Sequence, residues 1–279
     1  MELGMSVPTT KNRKLGLLIS GGIDSFVAWF YAQKVEGWKP EDIMCIYIDI
    51  GNPYAEKEKQ AIERFRKYGI DTKYLKCELI QEQFGNVPTN EDIWIPGRNL
   101  TLATIMASIG ADEIWVCALK GEMHKFATDK NKKFFDMATE TLSYVHGKFK
   151  DKIIVRTPFE EMSKLDVCRW ALENGITKEM LLETSSCLSG GEGNCGNCMV
   201  CVRRFGIFRQ LGFEEKYNEN PLTSEVGKKY IRQLAEDIGI YNHYDRARIE
   251  EVLPSLKEEE LKTLLTAEQM ERLKRELMG

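Results

Sequence analysis

The hexapeptide Ser20-Gly-Gly-Ile-Asp-Ser25 sits between an apolar run at 15–19 and a stretch with apolar residues at helical spacing. A strand, a glycine turn and a helix in that order cradle phosphate. Gly21 and Gly22 let the backbone approach an anion without side-chain interference, while Ser20, Ser25 and the free amides of the first helical turn supply donors at the positive end of the helix dipole. Ile19, Ser20, Gly21, Gly22, Asp24 and Ser25 are therefore the candidates for holding phosphates, and Ser20 and Asp24 are the catalytic candidates among them. Asp24 can orient a magnesium ion or an ammonium donor. The loop lacks the Gly-Lys-Ser/Thr ending with which a Walker-type loop cups outer phosphates around a lysine.

A second constellation is Cys187, Cys195, Cys198 and Cys201 in the stretch SSCLSGGEGNCGNCMVCVRR. The CxxCxxC turn brings three thiolates to one ion, and Gly190, Gly191 and Gly193 let the fourth arm fold back to complete a tetrahedral set. Four cysteines close the coordination sphere and leave no position for water, so zinc held here is structural. An iron–sulfur cluster also suits four thiolates, and spacing does not separate the two. The other cysteines, Cys45, Cys77, Cys117 and Cys168, lie among apolar neighbours and are expected to be buried small hydrophobes in a reducing cytosol.

The elements that must position these groups follow from hydrophobic periodicity. After the first strand, Val27, Phe30, Tyr31 and Val35 mark a helix, and 43–49 a second strand, completing a β-α-β unit. A helix at 54–68 puts Ala61, Ile62, Phe65 and Tyr68 on one face and stops at Gly69 before a strand at 72–77. A polar loop at 80–97, a buried helix at 100–109, a strand at 113–118, a charged irregular stretch at 119–132, another helix, a short strand at 153–155 and a helix at 163–174 continue the alternation. The fold class is α/β: a mostly parallel sheet with helices on both faces and ligands at the carboxyl ends of its strands. Past Phe213 the texture is polar and helical, with Val226, Tyr230, Leu234 and Ile238 spaced by fours and capping boxes at Ser255-Leu-Lys-Glu258 and Thr266-Ala-Glu-Gln269. This divides the chain into a core at 1–211, which includes the metal segment 187–201, and a helical extension at 212–279 that covers the core or pairs two subunits in a homodimer.

Composition narrows the function classes. With 279 residues and 43% hydrophobic content, the chain can bury a sizeable core. A net charge of -4 argues against a nucleic-acid backbone as the main partner. No apolar run spans a bilayer and the first residues lack the apolar stretch of a signal peptide, so a cytoplasmic protein with no membrane partner is expected.

The phosphate turn resembles that of the N-type ATP pyrophosphatases, which activate a carboxylate or carbonyl as its adenylate. Together with the cysteine set and the segments between, it is similar to the QueC family of 7-cyano-7-deazaguanine synthases over most of residues 14–205. The family's SGGxDS loop is 20–25, its DYGQ segment appears as Asp49-Ile-Gly-Asn52, and its VPGRN segment as Ile95-Pro-Gly-Arg-Asn99. Its TP and following charged pair are similar to Thr157-Pro158 with Lys164 and Asp166, and its terminal CGxCxxCxxR is 195–204.

The resemblance implies an adenine nucleotide alpha hydrolase-like fold and an ATP- and magnesium-dependent conversion of 7-carboxy-7-deazaguanine and ammonia into a nitrile, on the way to queuosine. It adds Asp49, Asn52 and Arg98 to the nucleotide-binding candidates and Arg98 and Lys164 to the catalytic ones. Arg98 would neutralise developing phosphate charge and Asn52 would help hold the adenosine. Where the family carries PDCR for the deazapurine, this chain has Thr128-Asp129-Lys130-Asn131. Asp129, Lys130 and Phe134 are the substrate-binding candidates, and the replaced cysteine and arginine predict an altered reaction preference. His124 in the same loop is a candidate for proton transfer. Alternatives within the same chemistry are amidation without dehydration, or conjugation of the deazapurine to an amine on a protein acceptor. A tRNA-modifying enzyme and a non-enzymatic nucleotide-binding protein are further readings.

Overall fold

The computed structural model describes residues 13–77, 95, 97–122, 128–147, 152–241 and 245–278. Strands β1 (Leu15–Leu18), β2 (Ile43–Asp49), β3 (Thr72–Lys76), β4 (Glu113–Trp115) and β5 (Ile154–Arg156) form one parallel sheet in the order β3-β2-β1-β4-β5. The chain moves outward from β1 to β3, then crosses back to place β4 on the other side of β1. That reversal opens a crevice beyond the carboxyl ends of β1 and β4, where an open α/β sheet binds its ligand.

Helices α1 (Ile23–Lys34), α2 (Ala55–Phe65), α3 (Arg98–Ser108), α4 (Lys132–His146) and α5 (Lys164–Glu173) cover the sheet, as the alternation predicts. One face packs Phe26, Val27, Phe65, Trp115 and Phe159, the other Ile46, Met106, Ile114, Phe135 and Val155. Gly69, at φ 84°, stops the α2 segment as expected. Two readings need correcting. Val35 is 52% exposed, because the buried face of α1 runs instead through Phe26, Val27, Trp29 and Ala32. Helix α3 is only half covered: Asn99, Ala103, Met106 and Ala107 face inward, whereas Leu100 and Ile109 face water.

Two helices that periodicity did not single out, α6 (Lys178–Leu182) and α7 (Met199–Gln210), carry the chain around the cysteine segment. The extension follows as α8 (Glu225–Asp237), α9 (Arg246–Val252), α10 (Glu258–Leu264) and α11 (Ala267–Leu273). It builds its own apolar cluster from Tyr230, Leu234, Ile249, Leu261 and Leu273, joined to the core through Val202 of α7. Thr266 and Gln269 cap α11 as their spacing predicts. The Ser255 box does not form, since the Ser255 hydroxyl donates back to the Val252 carbonyl and Glu260 instead accepts the Lys257 amide. Among the described residues no helix is long and apolar enough to cross a membrane.

Candidate active site and metal centre

The turn after β1 is locked by its own hydroxyls. The Ser20 amide donates to Ser25 Oγ at 3.1 Å, Ser25 Oγ donates to the Gly22 carbonyl at 3.2 Å, and the Gly22 amide reaches Ser20 Oγ at 3.4 Å. Gly21 sits at φ 73°, and a Cβ there would lie 2.8 Å from the Glu58 carbonyl oxygen, so both conformation and space require glycine. Gly22, at φ -81°, caps α1 in ordinary extended geometry. The Gly21 carbonyl accepts the Ser185 amide at 2.8 Å, tying the turn to the lead-in of the cysteine segment.

The turn opens onto a cavity of about 230 Å³ lined by Ile19, Ser20, Asp24, Ser25, Asn52, Arg98 and Lys130. Asp24 is one of its charged lining residues. Lys164 Nζ binds Asp24 Oδ2 at 2.9 Å, while Asp24 Oδ1 is buried without a hydrogen-bond partner among the described residues. Burial pushes the Asp24 carboxyl above the usual carboxylate range, against the pull of the Lys164 ammonium. A buried carboxylate oxygen with an unused lone pair, in a residue that lines a phosphate-sized cavity, fits a divalent cation or an ammonium donor.

Sequence reasoning brought most of the loop to this cavity, but not every candidate. Asp49 does not line it: Lys59 at 2.7 Å and the Gly51 amide at 2.9 Å take its carboxylate and, against burial, hold it below the ordinary range. Asp129 contributes its carbonyl to Asn99 Nδ2 at 3.0 Å, and Phe134 packs on Phe135 beside the core. Asn131 is the N-cap of α4, its side chain accepting the Phe134 amide at 2.9 Å. Thus one of the two replaced recognition positions has a local structural task. His124, the 80–94 stretch and the first twelve residues lie outside the described residues.

Several cavity residues were missed. Glu58 of α2 accepts the Tyr47 hydroxyl at 2.9 Å, and burial pushes its carboxyl up to about 7 despite that bond and the nearby Arg98. Its place one turn beyond Asn52 and Tyr54 on the helix that leaves β2 was the available signal. Glu122 accepts Lys130 Nζ at 3.4 Å and Arg203 Nη1 at 3.1 Å. Burial opposes its charge, but Lys130, Arg203 and Lys164 hold its carboxyl well below the ordinary range. Cys117, expected to be an inert core thiol, also lines the cavity, and burial raises its thiol well above the usual range. Cys45 and Cys168 are buried as expected, both pushed up to about 12 by burial, while Cys77 is half-buried.

The sulfurs of Cys187, Cys195, Cys198 and Cys201 all lie within 4.8 Å of one another. Cys195 Sγ and Cys201 Sγ are 3.8 Å apart, the edge of a tetrahedron with metal–sulfur bonds of about 2.3 Å. The donor set therefore fits a single tetrahedral ion. Lys57 of α2 donates to Cys187 Sγ at 3.4 Å and to the Gly193 carbonyl at 2.6 Å. Arg204, fully buried, binds Glu215 at 2.9 Å and Thr184 at 2.8 Å and stacks on Phe208 at 4.2 Å, anchoring the far side of the segment.

The family described as queuosine biosynthesis protein QueC matches residues 14–212. The 7-cyano-7-deazaguanine synthase of Thermoplasma acidophilum is 25% identical over 248 residues, covering 81% of this chain and 98% of that protein. The synthase of the same description from Campylobacter jejuni subsp. doylei is 26% identical over 230 residues, covering 74% and 97%. Among solved structures, an NH3-dependent NAD synthetase from Campylobacter jejuni aligns over 97% of this chain and 86% of its own, at 11% identity and a TM-score of 0.39.

Proposed function

This chain belongs to the QueC family, and from that premise we propose that it is an ATP-dependent ligase converting 7-carboxy-7-deazaguanine and ammonia into 7-cyano-7-deazaguanine. The observation that carries the reading is the 20–25 turn opening, with the unpartnered Asp24 Oδ1, onto the cavity at the strand ends. A carboxylate resists ammonia until one oxygen becomes a leaving group. Its attack on the α-phosphorus of ATP forms the acyl adenylate and expels pyrophosphate, which the amides of the turn and the Ser20 and Ser25 hydroxyls receive. Ammonia then displaces AMP to give the amide, and a second adenylation of the amide oxygen, followed by loss of AMP and protons, leaves the nitrile.

In this reading Arg98 offsets charge on the phosphates from the start of α3, and Asn52, which lines the cavity with Glu58, shapes the adenosine end. Lys164 keeps the Asp24 carboxylate oriented toward the cavity. Magnesium held by Asp24 would screen the phosphates during attack. Lys130, paired with Glu122, faces the acid. The cysteine set holds structural zinc; in a cubane iron–sulfur cluster each thiolate binds a different iron, and the sulfurs stand farther apart than here. A reducing cytoplasm suits four thiolates that bind a metal instead of pairing as disulfides.

The test supplies the acid, magnesium ATP and ammonium to the purified protein and follows pyrophosphate together with nitrile, amide and conjugate masses. Acid-dependent pyrophosphate with the nitrile as product is expected. No pyrophosphate above the acid-free control overturns the reading. Lys130 in the cavity, where the family's recognition segment differs, favours a second reading in which the amide or an amine conjugate accumulates, including a conjugate on a protein acceptor. The same masses decide it.

A further inference from the structure

Glu251 belongs to α9, in the extension beyond the family match, and is 0% exposed. Both of its carboxylate oxygens are used. Oε1 accepts the Lys164 amide at 2.7 Å and an Arg203 Nη2 proton at 2.8 Å, and Oε2 accepts Arg203 Nε. The Lys164 amide is the first of α5, one of the donors that no carbonyl within a helix can satisfy. The same lysine places its ammonium on Asp24. Arg203 spends its remaining nitrogen, Nη1, on Glu122, whose other oxygen takes Lys130. Glu122 and Lys130 line the cavity, and Glu251 stands behind both ends of its charged wall.

Resting on the functional reading above, we infer that Glu251 is a positioning residue for the ligase, supplied by the extension. It fixes Lys164 on Asp24 at the phosphate end and, through Arg203, fixes Glu122 and Lys130 at the acid-binding end. The extension is therefore part of the working site and not only a cover for the core. The carboxylate acts through geometry: a displacement of about 1 Å in a catalytic group lowers rates by roughly 100-fold.

Glu251→Gln tests this in the full chain. The pyrophosphate-release kcat is expected to fall roughly 10- to 100-fold, with metal content unchanged. The acidic limb of the kcat/KM profile is expected to move to higher pH, because Glu122 faces Lys130, Arg203, Lys164, Arg248, Asp24 and Cys117, and a loosened Arg203 weakens one of the cations that hold its carboxyl down. If Glu251→Gln does not fold, the double variant Arg203→Met with Glu251→Leu replaces the buried pair by apolar residues, which folded chains tolerate well. It is expected to show the same rate loss. A folded variant with kcat within about twofold of wild type, or a rate loss with no movement of the acidic limb, overturns the inference. Wild type is assayed alongside. If it releases no pyrophosphate with the acid, the functional reading has failed, and calorimetric binding of magnesium ATP decides the inference instead: weakening by about fivefold or more in the variant supports it, and unchanged affinity overturns it.

Discussion

Lys164 Nζ lies 2.9 Å from Asp24 Oδ2, so a lysine at the start of the helix after the last strand holds the carboxylate of the phosphate turn. The pair joins α1 and α5. Asp24→Asn should lower acid-dependent pyrophosphate release on the order of 100-fold and leave the melting temperature close to wild type, and Ser20→Ala should lower release less. Lys164→Met should move the acidic limb of the rate profile to higher pH. Burial already raises the Asp24 carboxyl, and the ammonium is the nearest group that opposes it. A pH–rate profile decides this, and an unmoved acidic limb in Lys164→Met would remove the coupling.

Metal removal should unfold the cysteine segment and weaken the turn. The Ser185 amide on the Gly21 carbonyl, and Lys57 on Cys187 Sγ, connect the two. Structural zinc contributes roughly 10–16 kcal/mol to the folding of small metal-dependent segments, so Cys198→Ala or prolonged chelation should lower the melting temperature strongly and release about one zinc per chain. Elemental analysis and thermal melting measure both. A metal-free protein of unchanged stability would defeat the assignment.

The neighbouring glycines should behave differently. Gly21→Ala places a Cβ against the Glu58 carbonyl at a left-handed φ, a conformation that costs about 1–2 kcal/mol before the clash is counted. Gly22→Ala meets Ser20 Oγ at 3.3 Å and the Ser185 carbonyl at 3.6 Å in an ordinary backbone conformation, so its stability should stay near wild type. Denaturant melts of the two variants check the contrast, and equal destabilisation would contradict it.

The parallel sheet, the phosphate turn and the cysteine set were legible because each rests on local pattern: apolar runs, a glycine turn before a helix, and thiols at metal spacing. Asp24 and Ser20 line the cavity for that reason, whereas Arg98 was reached only through the family resemblance. Arg203 and Glu251 were not legible, since the pair closes between α7 and α9, and neither residue has a local signal that separates it from a solvated charge. Val35 was misplaced because one apolar residue at helical spacing does not reveal where the helix turns toward water. Asn131 looked like part of a recognition segment, and its task as a helix cap appears only once the start of α4 is known.

Glu58 makes the stability of the protein depend on pH in a window that ordinary carboxylates do not reach. Its usual value is 4.5, and burial in the cavity wall pushes it up to about 7 against the Tyr47 hydroxyl and Arg98. The folded chain therefore holds this proton more tightly than the unfolded chain does, so the contribution is full below about 4.5, declines as pH rises through the window to about 7, and is flat above it. Glu58→Gln removes the titration. Its melting temperature relative to wild type should be higher at pH 8 than at pH 5, because only at pH 8 must the wild-type fold carry the buried charge. Discounted to about 1 kcal/mol for a half-buried group, the difference amounts to roughly 2–4 °C. Melts of both proteins at the two pH values measure it, and a difference that does not change with pH would show that Glu58 is ionised throughout.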